Sequence, residues 1–211
     1  EMSIEPLHAT VTSTLEPVLR VDGDGLEGLA DENVQARSRG LLLMALSNAR
    51  GRMLLSTSNK SELAVGYSTL YGDMCGGYAP IGDLYKVEVF ELARWINDSH
   101  RGLGFETPPI PVASIEKPPS AELRPDQRDD ESLPDYEVLD AYLRGRIDEA
   151  RAPESLREAL GVDADLIRRI ERLLAISEFK RYQATIIPKL SPRTFGRGRE
   201  MPVAARWNPG D

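Results

Sequence analysis

The sequence is poor in the residues that most often announce chemistry. Of 211 residues one is cysteine, Cys75, and two are histidine, His8 and His100. A single thiol closes no internal disulfide and supplies no cysteine cluster for zinc, which fits a reducing compartment. The two histidines have no partner at metal or catalytic spacing, so surface or packing roles are the simpler reading of both. No apolar run is long enough to span a bilayer, and the N-terminus lacks the charged-then-apolar order of a signal peptide. Together these absences predict a soluble, cytoplasmic protein. Positive charge is also short. The formal net charge is −8 and the pI about 5.0, against a general nucleic-acid binder. Acidic proteins still hold nucleotides through local basic groups and metal ions. There is no internal repeat and no low-complexity tract. The chain starts at Glu1 rather than methionine, as a piece of something longer would.

What is present is 41% hydrophobic residues, enough for one large domain or most of one. The chain is organised around residues 53–86, MLLSTSNKSELAVGYSTLYGDMCGGYAPIGDLYK. The apolar run Met53–Leu55 predicts a buried strand. The hydroxyls Ser56, Thr57 and Ser58 follow, and Asn59, Lys60, Ser61 and Glu62 open a helix predicted over 59–71. The pattern breaks at Gly72-Asp73 into the glycine-rich CGGYAP. Strand, polar turn and helix N-terminus is the layout in which α/β proteins bind ligands, with unpaired amides and the positive helix end facing a phosphate or carboxylate. Glu62 in the first turn suits the helix dipole. Beside hydroxyls in an α/β crevice it also suits Mg²⁺ or a ligand hydroxyl. Asp73 is by itself a C-terminal turn residue. Lys86 opens a helix over 86–97 and is either a phosphate partner or a solvated side chain.

The flanks are mostly helical. Residues 1–19 carry a helical apolar period, with Pro6 in the first turn. Asp22-Gly23-Asp24-Gly25 is a plain turn, because the spaced acids of a calcium loop are missing. Asp31 is expected to cap a helix over Glu32–Asn48 that Arg50-Gly51 closes. Its second half, GLLLMAL, is apolar on nearly all sides and predicts burial against a sheet or a partner chain. Asn33 and Arg37 share a face of its first half at i, i+4; from spacing alone a solvated first turn is the simpler reading. Residues 102–133 read as a long loop, and its acidic run Asp129-Asp130-Glu131 as solvated surface rather than a metal site. A helix is predicted over 134–147, a short one from Pro153, and a longer one capped by Asp163, with Leu166, Ile167, Ile170, Leu173 and Leu174 as its core stripe. The C-terminal arm 188–211 is basic, carrying Lys189, Arg193, Arg197, Arg199 and Arg206; its charge suggests a nucleic-acid patch, and a solvated tail is the simpler reading.

Six ordered blocks carry a resemblance. ENVQARSRGLLLMALSN, LLSTSNKSELAVGYSTLYGD, GGYAPIGDLYK, KPPSAEL at 117–123, LPDYEVLDAYL at 133–143, and SEFKRYQ with the RTFGRGREMPVAARW tail resemble the synthetase domain of NAD⁺ synthetase, closest to its long, glutamine-dependent bacterial type. The resemblance runs from Asp31 onward. It implies one α/β domain of the adenine-nucleotide α-hydrolase-like (Rossmann-like) parallel-sheet type. It also implies ATP-dependent amidation of deamido-NAD⁺. Such enzymes activate the nicotinate carboxylate with Mg-ATP as an adenylate, release pyrophosphate, and let ammonia displace AMP. Carried over by position, Thr57, Lys86 and Ser120 would meet ATP, Ser120 standing where threonine is more familiar. Asn33, Glu62, Tyr67, Ser68, Thr69, Leu70 and Lys180 would line the deamido-NAD⁺ site, with Glu62 also a Mg²⁺ contact. Arg37 and Asp73 are secondary candidates.

One departure is large. The phosphate-binding SGGxDS loop of the family is absent, as are the first strands and the glutaminase domain. The chain therefore resembles the C-terminal portion of the synthetase domain, helix-rich for want of those strands and inactive alone. The resemblance further implies a homodimer or larger homo-oligomer, a glutaminase domain upstream, loop 102–133 as an ordering lid, and ammonia drawn from glutamine or free ammonium. Two other readings stand beside it: a GMP or asparagine synthetase-like relative using the same ATP chemistry, and a non-catalytic nucleotide-binding fragment.

Overall fold

The computed structural model describes residues 2–22, 25–120, 122–124, 127–129, 133–196 and 198–203. Helices dominate. α1 (Glu5–Asp22) packs on α2 (Gly28–Arg50), and His8 Nε2 meets Asp31 Oδ1 at 2.6 Å between them. This contact corrects the start of α2. Asp31 gives its carboxylate to His8 and to Gln35 Nε2, so it lies inside the first turn while Glu27 takes the cap position. The C-terminal end is as expected: Gly51 adopts the left-handed conformation (φ 59°), and the Asn48 and Ser47 carbonyls accept the closing N–H bonds. The turn expected at Asp22–Gly25 falls mainly outside the described residues.

The hub is α3 (Lys60–Val65), whose six residues are buried except for Glu62. So short a helix has little stability of its own and is held by tertiary packing. It packs on α4 (Lys86–Asp98), α6 (Tyr136–Leu143), α8 (Ala164–Ile176) and α9 (Glu178–Arg181). Leu63, Ala64 and Val65 enter one core with Tyr85, Leu139, Tyr142, Leu143, Ile167, Ile170 and Leu174. A short α5 (Val112–Glu116) lies in the long loop, a π-helical turn (Arg144–Asp148) extends α6, and α7 (Pro153–Leu160) adds Leu156 to the core. Asp163 caps α8 as predicted, its carboxylate accepting the Asp165 N–H.

Three expectations fail here. The helix predicted over 59–71 stops at Val65, because Gly66 (φ 70°) turns left-handed where a Cβ would lie 2.2 Å from Ser177 Oγ. The chain beyond it is free to turn, and that turn builds the site. The strand at Met53–Leu55 is not buried: Met53 is 69% and Leu55 52% exposed, since no layer of the described residues covers their outer face. Among those residues pairing amounts to single bridges: the parallel Leu55–Tyr78 and Tyr78–Ile186, which set three short segments side by side, and the antiparallel Gly196–Arg199. Of the two covers expected for the apolar half of α2, the sheet fails among the described residues, with Leu41 59% and Leu43 45% exposed, and a partner chain is left.

The basic tail is no free arm through residue 203. Leu190 and Ser191 donate their N–H groups to Asp83 Oδ2 at 2.7 Å, Phe195 is buried between Arg181 and Arg199, and Arg193 donates to the Ile147 carbonyl. Arg197 and Arg206 lie outside the described residues.

Candidate functional site

Most of the amides expected to stand free at the helix N-termini are already satisfied. At α3, Asn59 Oδ1 accepts the Glu62 N–H at 3.0 Å, Glu62 Oε2 accepts the Asn59 N–H at 3.3 Å, and the Lys60 N–H goes to the Leu84 carbonyl at 2.8 Å. At α4, Ser61 Oγ accepts the Lys86 N–H and Asp140 Oδ2 accepts the Val87 N–H. Anion recognition at this end therefore falls to side chains.

Two of them meet. Lys86 Nζ donates to Glu62 Oε1 at 2.8 Å, each side chain 18% exposed, so the pair lies at a mouth rather than in the core. The Lys86 ammonium also lies 5.4 Å from the centroid of the Tyr136 ring. Tyr136 is buried, and its hydroxyl donates to Asp129 Oδ2 at 2.9 Å. Burial, with the Asp129 and Glu62 carboxylates nearby, pushes the Tyr136 phenol well above its usual range. Asp129 is thus 3% exposed rather than solvated, because it anchors the long loop: its N–H donates to the Pro119 carbonyl and its own carbonyl accepts from Leu133. Asp130 and Glu131 lie outside the described residues. Ser120 follows Pro119 directly and accepts the Glu122 N–H. Thr57 is exposed between buried Ser56 and Ser58.

The Tyr136→Phe substitution is expected to cost about 1–3 kcal/mol, since a buried carboxylate loses a donor. Urea denaturation measures that loss, and faster proteolytic cutting within 117–129 at unchanged cutting elsewhere reports the freed loop.

The second cluster forms around the turn that Gly66 releases. Thr69 Oγ1 donates to Asn33 Oδ1 at 2.8 Å, and Arg37 Nε donates to the Leu70 carbonyl at 3.2 Å, so the polar face of α2 reaches this turn, Asn33 half-buried and Arg37 still exposed. The docking is close: a Cβ at Gly40 would lie 2.9 Å from the Tyr71 carbonyl oxygen. Lys180 Nζ donates to the Gly66 carbonyl at 2.7 Å and to the Ser68 carbonyl at 2.6 Å. Asp73 Oδ1 accepts the Thr69 N–H at 2.6 Å. Asp73 is exposed as a residue, but its carboxyl is desolvated; this raises its pKa, against the lowering by the Thr69 N–H and Lys180 and with the raising by Glu62. Desolvation lowers the Lys180 ammonium, which Asp73 supports and Arg37 opposes. Through Asp73 and Glu62 the two clusters feel each other's charge. Tyr67 and Ser68 lie on the same turn, half-buried, and Ser68 Oγ donates to Met74 Sδ at 3.2 Å.

A family model described as NAD synthase matches residues 1–184. The chain belongs to the NAD synthase family. It is 46% identical over 208 residues to the glutamine-dependent NAD⁺ synthetase of Acinetobacter baylyi, covering 99% of this chain and 37% of that protein. It is 47% identical to the enzyme of the same description from Xanthomonas campestris, covering 96% of this chain and 35% of that protein. The chain thus spans little more than a third of the curated relatives it matches. Among solved structures, the glutamine-dependent NAD⁺ synthetase of Cytophaga hutchinsonii aligns with a TM-score of 0.70 at 24% identity over 97% of this chain and 33% of that one. The NMN synthetase of Francisella tularensis aligns at 0.64 and 24% identity, over 90% and 66%. At such identities the likeness is one of fold.

Set in the family, the geometry groups its sequence candidates unevenly. Asn33, Arg37, Ser68, Thr69, Leu70, Asp73 and Lys180 converge on one turn, and Glu62 with Lys86 adjoins it. Thr57 and Ser120 stand apart from this turn, Ser120 bonded to the Glu122 N–H. Among the described residues no group of three or more metal-ligating side chains occurs. A cation at Glu62 would take one carboxylate from this chain and the rest of its oxygens from phosphate and water, a donor set that suits Mg²⁺. Three contributors were missed from sequence: Tyr136, Asp129 and Asp140. The signal for Asp140 was present, since it falls at i+4 on the buried stripe Tyr136, Leu139, Asp140, Leu143, where a carboxylate is out of place.

Proposed function

We propose that this chain supplies the dinucleotide-binding half, and part of the ATP site, of an enzyme that amidates deamido-NAD⁺ to NAD⁺. The observation that carries the reading is the convergence of Asn33, Thr69, Leu70, Asp73 and Lys180 on one turn beside the Glu62–Lys86 pair. A nicotinate carboxylate is a poor electrophile. Attack of its oxygen on the α-phosphorus of ATP forms a mixed anhydride and expels pyrophosphate. Ammonia then attacks the acyl carbon, AMP leaves with the C–O electron pair, and a proton is lost. Little covalent chemistry falls to the protein, so catalysis is positioning and charge neutralisation.

In this reading Lys86, freed from Glu62, meets ATP phosphate with Thr57 and Ser120. Asn33, Lys180 and the Tyr67–Leu70 turn hold the dinucleotide. Mg²⁺ bound at Glu62 would neutralise phosphate charge. Loop 102–133, anchored through Asp129, covers the nucleotides. The three short parallel segments belong to a parallel sheet of the Rossmann-like type whose remaining strands, with SGGxDS and a glutaminase domain, lie in the rest of the protein. The chain alone is therefore inactive. The apolar face of α2 meets a second copy, giving a homodimer, and the reaction is cytoplasmic.

The test is a thermal-shift titration with deamido-NAD⁺, compared with Mg-ATP, NAD⁺ and AMP. A ligand that binds only the folded state adds about 2.7 kcal/mol at a hundredfold excess over its Kd. A shift with deamido-NAD⁺ larger than that with Mg-ATP is expected. No shift with the dinucleotide, from a chain shown folded by circular dichroism, would sink the reading.

A further inference from the structure

We infer that Asp140 is a positioning residue that sets Glu62 and Lys86 against each other across the α3–α4 junction. It comes from a third helix, α6, and is 4% exposed. Its Oδ1 accepts the hydroxyl of fully buried Ser61, and its Oδ2 accepts the Val87 N–H at 2.9 Å. The Ser61 oxygen in turn accepts the Lys86 N–H at 2.8 Å. One carboxylate thus holds the residue before Glu62 and the residue after Lys86. Both members of the ion pair hang from backbone that Asp140 fixes.

A plain helix cap is built differently. Asp163 and Asp135 bond N–H groups two residues on, within their own helix. Asp140 reaches 79 residues back to Ser61 and 53 back to Val87, joining two helices that carry opposite charges to one mouth. Both of its oxygens are engaged, so an amide in its place keeps the Val87 bond through its oxygen and meets Ser61 only as a donor, which reverses that bond and leaves the proton of the buried Ser61 hydroxyl without its acceptor. Displacement of a binding group by about 1 Å is enough to cost a hundredfold in rate. The role of Asp140 is therefore read in substrate parameters as well as in stability.

This inference rests on the proposed amidation, and its test separates the two. The full-length enzyme is assayed for NAD⁺ formation with ammonium chloride as nitrogen donor, which bypasses any glutaminase. The variants are Asp140→Asn, Ser61→Ala and, as a control, Asp163→Ala, with melting temperatures measured alongside. Asp140→Asn and Ser61→Ala are each expected to raise KM for Mg-ATP about tenfold, whereas Asp163→Ala lowers the melting temperature at unchanged KM. Asp140→Asn and Ser61→Ala proteins that melt lower but keep the wild-type KM would show a structural role alone and overturn the inference. A wild-type enzyme that forms no NAD⁺ would overturn the proposed function, and this inference with it.

Discussion

Replacing Lys60 with methionine is expected to remove about 3–5 kcal/mol of folding stability, the usual result of breaking a buried ion pair from one side. Lys60 is wholly buried, with Nζ 2.9 Å from Asp148 Oδ1 and 3.1 Å from Asp83 Oδ1. It donates to Ser191 Oγ at 2.6 Å and lies 4.9 Å from the Tyr85 ring centroid. Four segments meet there: the start of α3, the turn before α4, the π-helical turn and the C-terminal arm. Methionine fills the volume but leaves two buried carboxylates facing each other without a cation. Against a whole-protein stability of about 5–15 kcal/mol, that is a large share. Urea denaturation at pH 7 measures it, and a loss below about 1 kcal/mol would show that water reaches the carboxylates. The pH dependence has a definite sign. Burial raises the Asp83 carboxyl, but the Ser191 and Leu190 N–H groups and Lys60 outweigh it and hold the pKa below 3.8. A depressed carboxylate contributes stability above its unfolded value, lost as pH falls through the folded one. Lys60→Met should therefore flatten the acid side of the stability profile.

None of that cluster was legible in the sequence, and the reason is distance. Lys60 finds Asp148 88 residues away and Ser191 131 residues away, and no local pattern encodes such partners. Sequence patterns treat a charge as solvated, which is right for most charges and wrong for Lys60, Asp83, Asp129 and Asp140. Features written in a few neighbouring residues were legible: Gly51 at the end of α2 and Asp163 before α8. The core stripe of α8 followed from its 3.6-residue period, with Ile167, Ile170 and Leu174 buried.

Errors arose where a distant neighbour overrides local preference. Gly66 is tolerable inside a helix by sequence alone; Ser177, far along the chain, makes it a stop. A strand needs partners on both sides, so the apolar Met53–Leu55 cannot be buried by its own composition. The family blocks supplied Asn33, Thr69 and Lys180 as candidates, and the structure brings the three onto one turn. Spacing alone would have left Asn33 in solvent, because the surface it docks on is a turn whose position depends on Gly66.

The last prediction follows from that turn. Lys180→Met is expected to weaken deamido-NAD⁺ binding by roughly 10–100-fold, the equivalent of about 1.5–3 kcal/mol for a hydrogen bond from a charged group. The ammonium of Lys180 holds the Gly66 and Ser68 carbonyls at 2.7 and 2.6 Å, and so fixes the two ends of a three-residue arc. Thr69 and Leu70, which engage Asn33 and Arg37, hang directly from that arc. Methionine keeps much of the stem but donates nothing, so both carbonyls lose their partner and Asp73 loses the cationic support of Lys180, raising its carboxyl further. Arginine is no conservative replacement, because a planar fork cannot reproduce the point donor that two carbonyls on one turn require. The contrast is Arg37→Ala. Arg37 is exposed and makes one bond at 3.2 Å, so a loss of only a few-fold is expected, about 0.5–1.5 kcal/mol. Isothermal titration of the full-length protein with deamido-NAD⁺ measures both. An unchanged Kd in folded Lys180→Met would remove Lys180 from the site, and a larger loss in Arg37→Ala than in Lys180→Met would move the ligand to the α2 side of the turn.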